Sequence, residues 1–313
     1  MIVAFAVDPD ALALPGRDAG VRLAAHERLL RWWAHLGILV YPGDSLRGSN
    51  LYAAIRHLPG DLRKRWEAAF QVGWHGASHQ AADVGTVEDA EGLTRLKGQV
   101  SLACLEEQRA VRMGLPAERS CRRIPRAEIE ICRLECVDAT EAFKRSEKLA
   151  DGWIDASTKV DQVWRSRFSR MAKWASRVVV VDRYGAVKHA RDPSRSGFSR
   201  LLLELDREGP GARVQVYSEM GKGSGADKLI GALGDVAGKL SWCGVREMEL
   251  TLVSENHFWE AAHDRYIRFD GKVCAVGVGV CELLSGEAVS RRSTFRLMRH
   301  GPESQDLERR LAD

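Results

Sequence analysis

The sequence of 313 residues lacks the features that mark several specialised classes of protein. Its cysteines form no CxxC pair and no regular framework, and they stand at positions 104, 121, 132, 136, 243, 274 and 281. This scatter is typical of reduced thiols and argues against a disulfide-stapled secreted domain. Cys132 and Cys136 lie four apart, but no second pair and no neighbouring histidine completes a zinc-binding set.

Long apolar runs are also missing, since none approaches the roughly 20 residues that a membrane-spanning helix needs. The first residues lack the basic start and cleavage pattern of a secretion signal. We therefore expect a cytoplasmic protein. The formal net charge of +4 permits contact with nucleic acid or anionic lipid but requires neither.

Length and the order of elements predict two α/β domains. A chain of this size exceeds the usual single core, and strand and helix patterns alternate along it. We predict a smaller α/β or mostly helical domain at 1–155, starting with a buried strand at 2–7 and a helix at 21–36 and containing a further helix at 100–113. The second domain, 156–313, is predicted as a mixed sheet with helices on its faces.

The second half carries three apolar segments that read as parallel strands, at 178–182, 213–218 and 247–253, with helices at 197–208 and 226–240 between them. Ligands gather beyond the carboxyl ends of such strands. The side chains expected at that edge are Asp182, Glu219, Lys222, Ser254 and Glu255. Lys222 lies in a Gly-rich segment that lacks the P-loop spacing, so it is either a flexible connection or a loose nest for one phosphate.

The most informative stretch is 262–273. Polar and apolar residues alternate from His263 to Phe269, which predicts a strand with His263 and Arg265 on one face. Asp270 and Gly271 then predict a hairpin turn. An imidazole and a guanidinium side by side, with the Asp270 carboxylate at the strand end, form a candidate phosphate grip. Lys222 and Lys272 are candidate phosphate contacts, and Asp182 and Glu255 are candidate supporting residues.

This stretch resembles the HxKxxxxD signature of the phospholipase D superfamily, with Arg265 in place of the lysine. With the segment VVVVDRY at 178–184, residues 160–313 are most similar to the phospholipase D-like domain at the C-terminus of MIT-domain proteins and its bacterial relatives. The resemblance implies that His263 attacks phosphorus, that Arg265 stabilises the phosphate oxygens and that Asp270 orients a neighbour. It implies no metal and no other cofactor.

Two functions stay open on this evidence. The first is a phosphodiesterase acting on DNA or RNA, which the resemblance to soluble bacterial members extends to defence against phage. Because no second motif supplies a general acid, this enzyme would be a homodimer that brings two His263 side chains together. The second is an inactive module that binds nucleic acid, an anionic membrane or a partner protein, and both Arg265 in place of lysine and the missing second motif favour it. A purely structural role is the remaining alternative, in which His263 caps a strand and Arg265 pairs with Asp270.

The aspartates of the first half and a group of arginines at 163–176 allow two further interpretations. An aspartate directly after a first strand resembles the start of PIN-like nucleases, which gather carboxylates around magnesium or manganese; the candidate ligands are Asp8, Asp10 and Asp138. The same residues also suit a cap or turn. A predicted helix at 163–176 would place Arg165, Arg167 and Arg170 on a solvated face or against nucleic acid.

Overall fold

The computed structural model describes residues 1–13, 19–78, 83–220, 225–261 and 265–312, without the side chains of a few helical residues beside the gaps. The chain divides into two compact units, unit 1 at Met1–Lys148 and unit 2 at Leu149–Asp313. Both units are α/β, each with one mixed sheet and flanking helices. No helix in the described ranges is long and apolar enough to cross a bilayer.

Unit 1 contains a six-stranded sheet in the order β3-β2-β1-β4-β6-β5, parallel except for β5. The strands are β1 (Val3–Val7), β2 (Gly37–Pro42), β3 (His75–Ser78), β4 (Leu102–Leu105), β5 (Cys121–Ile124) and β6 (Ile129–Arg133). The helices are α1 (Ala19–Leu36), α2 (Asn50–Arg56), α3 (Gly60–Val72), α4 (Glu107–Arg112) and α5 (Glu141–Ala150). Every residue of β1 is buried, as expected for a central parallel strand covered on both faces.

Unit 2 contains a seven-stranded sheet in the order β10-β9-β8-β11-β12-β13-β7. The strands are β7 (Asp151–Ile154), β8 (Arg177–Val181), β9 (Ala212–Glu219), β10 (Val245–Val253), β11 (Tyr266–Phe269), β12 (Lys272–Val276) and β13 (Ser293–Arg299). The helices are α6 (Val160–Val163), α7 (Ser169–Ala172), α8 (Gly185–Arg191), α9 (Gly197–Glu208), α10 (Gly225–Ala237), α11 (Glu255–Ala261), α12 (Val280–Leu283) and α13 (Pro302–Ala312).

Direction within this sheet changes at β8. Strands β8, β9 and β10 are parallel, whereas β11 runs antiparallel to β8, with Tyr266 opposite Val181. The start of β11 therefore lies at the carboxyl edge of the parallel strands. On one face, α11 and α13 cover the core around Val181, Phe258 and Leu311.

Two predictions for the first half of the chain, a helix and the domain boundary, differ from the structure. The predicted helix at 100–113 is instead strand β4 followed by α4, whose first amides donate to the Glu106 carboxylate. Short apolar runs such as Leu102–Leu105 do not distinguish strand from helix. The expected boundary after residue 155 also lies too late, because Asp151–Ile154 forms β7 and pairs with β13 in unit 2.

The basic helix predicted at 163–176 is interrupted by a π-helical turn at Trp164–Phe168 between α6 and α7. This turn places Arg167 in the interior, with its guanidinium 4.7 Å from the centre of the Phe295 ring. Arg167 is 8% exposed. It therefore does not belong to a solvated basic face, nor to a surface that could track a nucleic acid.

Candidate functional site

The carboxyl edge of β8, β9 and β10 gathers most of the charged side chains predicted there. Asp182 and Arg183 follow β8, Glu219 ends β9, and Glu255 begins α11 directly after β10. Arg265 enters the same edge as the residue before β11. Asp182, Glu219 and Glu255 are predicted at this edge, and the structure places all three there, with Arg183 in contact with both Glu219 and Glu255.

Arg183 is the buried centre of this edge. Its guanidinium forms a close ion pair with Glu219, and Nη2 lies 3.4 Å from Oε1 of Glu255. The same guanidinium lies 4.3 Å from the centre of the Trp259 ring and 5.0 Å from that of Tyr184. Two carboxylates and two aromatic rings therefore fix Arg183, and Glu255 supports this arginine as one of those carboxylates.

Asp182 lies beneath the edge with 3% of its surface exposed. Its carboxylate accepts hydrogen bonds from the amides of Cys281, at 2.8 Å, and Tyr184, at 3.3 Å. Burial raises the pKa of Asp182, while the two amides and the nearby charge of Arg265 act in the opposite direction. A Cβ on Gly279 would lie 2.7 Å from Oδ2 of Asp182, so this close approach of backbone to carboxylate requires glycine, which also has φ +86° here.

Arg265 is held without a carboxylate. Its Nη1 donates to the carbonyl of Val278 at 3.2 Å, and the guanidinium lies 5.3 Å from the centre of the Tyr184 ring. No carboxylate of the described residues lies at ion-pair distance from it. Asp182 is the nearby carboxylate, and the charge of Arg265 acts to lower its pKa without a direct ion pair between the two. In the described part of the chain, Arg265 is therefore a half-buried, oriented cation with no carboxylate bonded directly to it.

Asp270 does not join Arg265, and the predicted grouping of the two is wrong. Asp270 occupies the β11–β12 turn at φ +46°, and its carboxylate accepts from Ser176 N and Oγ and from Arg177 N at 2.9–3.1 Å. It lies at the far end of β11, about 15 Å along an extended strand from Arg265. The pairing of Arg265 with Asp270, considered as an alternative, does not occur either.

Lys272 is also at the wrong end of the hairpin for a phosphate contact. It pairs with Phe269 across the turn, and its side chain is 3% exposed. Burial and the charge of Arg299 lower the pKa of Lys272 to about 7. The predicted role fails because the strand pleat directs this lysine into the interior. His263 and Lys222, the other candidates of the predicted grip, lie outside the described residues.

In unit 1, two of the predicted metal ligands, Asp8 and Asp10, are in contact with an arginine, Arg109. Asp8 is fully buried and accepts from Nε of Arg109 at 2.7 Å and from Glu106 N at 3.0 Å. The same guanidinium lies 3.3 Å from Asp10, whereas Asp138 pairs with Arg28 elsewhere. Among the residues with described positions, no three carboxylate, thiol or imidazole groups form a metal cluster. The grouping of Asp8, Asp10 and Asp138 is therefore wrong.

Local sequence patterns do not predict the contacts made by Arg183, Trp259 and Arg109. Arg183 was visible only as part of VVVVDRY, and Trp259 belongs to a seven-residue helix that was not predicted. Arg109 lies in a segment predicted as one long helix, which hid its position directly beyond a strand end. A search for arginines within a few residues of predicted strand ends finds Arg183, which follows the predicted strand 178–182, but not Arg109, because β4 is not predicted as a strand.

Comparison of the chain with models of known protein families and with curated proteins finds no match in either.

Proposed function

We propose that unit 2 binds a phosphate group of a nucleic acid at the carboxyl edge of its parallel strands, through Arg265. The observation that carries this proposal is a positioned guanidinium that has no carboxylate at ion-pair distance among the described residues. A guanidinium offers two parallel N–H donors to phosphate oxygens. Because a carbonyl and a ring already orient Arg265, binding costs little side-chain entropy.

Other arginines of unit 2 near the site are committed to the fold. Arg183 is ion-paired with Glu219, and Arg268 donates from Nε and Nη2 to Glu308 at 2.7 and 2.6 Å. Removing either would leave a carboxylate without its cation. Arg265 differs because its contacts leave its charge available to a ligand.

The motif that contains Arg265 supports a phosphodiester as the ligand. The segment resembles the phosphate-binding signature of the phospholipase D superfamily, and Arg265 occupies the position of the residue that holds phosphate oxygens. The net charge of +4 is compatible with a polyanion. A phosphate on a lipid surface shares this chemistry, so the experiment below separates the two sources.

Hydrolysis is the second candidate function, and one observation favours it. In the sequence His263 lies two residues before Arg265, the spacing that the resemblance assigns to the attacking histidine and the residue that holds the phosphate oxygens. In this reaction an imidazole nitrogen of His263 bonds to phosphorus while the bond to the leaving oxygen breaks. A proton passes to that oxygen from a second acid, and water then cleaves the P–N bond. The second acid would be His263 of another copy in a homodimer.

Binding is tested with fluorescently labelled single-stranded DNA and RNA and with anionic vesicles. Arg265→Ala should weaken nucleic-acid binding about 10- to 100-fold, the loss expected for hydrogen bonds to a charged group. The affinity of Arg265→Lys should lie between those of the wild type and Arg265→Ala. The matched control is Arg213→Ala, which removes an equal charge from an exposed arginine paired with Glu247. Equal losses in Arg265→Ala and Arg213→Ala, or binding of vesicles alone, would contradict the proposal.

Hydrolysis is tested separately by incubating the same oligonucleotides with the protein in a metal chelator. The second candidate expects cleavage that His263→Ala abolishes while binding persists, and a dimer by light scattering. Cleavage that needs a divalent metal, survives His263→Ala and is lost in Asp8→Ala would place the activity in unit 1. Binding without cleavage leaves unit 2 as a recognition module.

A further inference from the structure

An exposed tryptophan stands beside the proposed phosphate contact. In α11, Phe258 is buried in the core, whereas the next residue, Trp259, is 51% exposed. The described neighbours form a continuous series, with Arg265 next to Tyr184, Tyr184 next to Arg183, and Arg183 next to Trp259, at ring-to-guanidinium distances of 5.3, 5.0 and 4.3 Å. The apolar ring and the available cation therefore belong to one surface.

The orientation of Trp259 is fixed from the protein side. Arg183, 8% exposed, lies over the indole and is itself held by Glu219 and Glu255. A buried guanidinium against an aromatic ring contributes attraction from the ring quadrupole as well as packing. The exposed half of the indole is thus presented by a rigid support, which lowers the entropy cost of binding a flat group.

A second exposed tryptophan shows that this arrangement is not general. Trp153 in β7 is 53% exposed and lies 4.4 Å from the guanidinium of Arg292. There the cation belongs to an exposed side chain paired with the exposed Asp155, with side-chain exposures of 60% and 77%. The guanidinium against Trp153 is therefore exposed, whereas the guanidinium against Trp259 is buried.

We propose that Trp259 stacks against a base of a single-stranded nucleic acid whose phosphate contacts Arg265. This rests on the proposed function for the phosphate contact and adds the substrate class. A nucleic acid carries both groups that this surface would contact, a phosphate for Arg265 and a flat π-face for Trp259. Stacking on an aromatic side chain requires an unpaired base, because the faces of paired bases are covered within a duplex. The site therefore favours single strands over duplexes.

The test measures binding of labelled oligothymidylate, an abasic oligomer of equal length and a duplex. Trp259→Ala should weaken oligothymidylate binding about 5- to 100-fold, the range that stacking of one base contributes. It should leave the abasic oligomer unaffected, and Trp259→Phe should retain most of the affinity. Trp153→Ala, which removes an equally exposed tryptophan, should change nothing. Far-ultraviolet circular dichroism checks that each variant folds.

Each result separates this inference from the proposed function. Unchanged oligothymidylate binding in Trp259→Ala, or equal wild-type affinity for the abasic oligomer, overturns the stacking while a loss in Arg265→Ala keeps the phosphate contact. If Arg265→Ala is also neutral, both fail. Binding of anionic vesicles that requires Trp259, without oligonucleotide binding, overturns both by assigning the ring to a membrane surface.

Discussion

Each unit ends a buried central strand with an aspartate and has an arginine close by, yet the two carboxylates are held differently. In unit 1, Asp8 is bonded directly to the buried Arg109, which Asp10 and Glu88 also contact. In unit 2, Asp182 is bonded to the amides of Cys281 and Tyr184. Its neighbour Arg265 consequently keeps no carboxylate at ion-pair distance among the described residues.

The same sequence pattern, a buried strand followed by an aspartate, therefore leads to two different arrangements of charge. An apolar strand followed by aspartate specifies only that a carboxylate reaches the sheet edge. Where an arginine from the next helix bonds to it, the pair neutralises itself and holds the fold together. Where backbone amides satisfy the carboxylate, a nearby arginine is left without a direct bond to it. The functional site is thus expected in unit 2 rather than in unit 1.

The largest expected effect is on stability when the unit 1 pair is broken. Arg109→Ala leaves the buried Asp8 without its cation and should cost about 3–5 kcal/mol of unfolding free energy. Arg265→Ala should cost less than about 1 kcal/mol, since no carboxylate of the described residues is bonded to it directly and Asp182 keeps its two amide donors. Chemical denaturation gives the size of each effect, and amide hydrogen exchange assigns it to a unit. The exposed pair Arg28–Asp138 supplies the control, with Arg28→Ala changing stability by less than about 1 kcal/mol. Similar losses for Arg109→Ala and Arg265→Ala would remove the distinction between the units.

Acid should destabilise unit 1 through His26. Burial lowers the pKa of His26 from 6.5 to about 4, and its Nδ1 accepts from Nε1 of Trp66 at 3.1 Å. Between these values the unfolded chain binds a proton that the folded chain excludes, so unit 1 loses stability as pH falls through this window, by on the order of 3 kcal/mol. Hydrogen exchange in unit 1 across this range measures the loss. His26→Gln keeps an acceptor without the titration and should flatten the dependence; an equal slope in this variant would refute the assignment.

A smaller effect of opposite sign is expected from Asp182. Because burial raises the pKa of Asp182 above 3.8, the folded chain keeps a proton that the unfolded chain has released. This contribution to unit 2 is present below the ordinary pKa and is lost as pH rises through the raised value. Asp182→Asn should remove that slope, at a cost of about 1 kcal/mol at low pH because one amide loses its acceptor. Hydrogen exchange in unit 2 measures the stability of both proteins. The variant should be less stable than the wild type at low pH, and this deficit should shrink as pH rises, because only the wild type loses stability. A constant difference would contradict the raised pKa.

Much of the unit 2 fold could be predicted from local patterns. The run Val178–Val181 is apolar throughout, as a strand buried on both faces must be, and helix α9 has the predicted bounds because Ser196 caps it and Phe198, Leu201 and Leu205 repeat at helical spacing. The hairpin turn at Asp270 and Gly271 was also correct. The short strand β4 was missed because a four-residue apolar run has no measurable period.

The site was less predictable than the fold. Position along strands gave the correct edge for Asp182, Glu219 and Glu255, since strand ends coincide in a parallel sheet. Asp270 and Lys272 were misplaced because a motif written as a line of letters does not show that an extended strand separates its two ends. Nothing local indicated that Arg183 would lie beneath Trp259.

The sequence by itself determined the class of each unit, the order of most strands and helices, and which edge of the second sheet carries charge, because these follow from short-range periodicity and from strand ends. Only the tertiary structure decided which charges cancel. Whether a guanidinium meets a carboxylate, a carbonyl or a ring depends on residues distant in the chain, such as Arg183 and Trp259 or Arg265 and Val278. Which cations keep no directly bonded carboxylate is a property of that packing, and Arg265 is one of them in the described part of the chain.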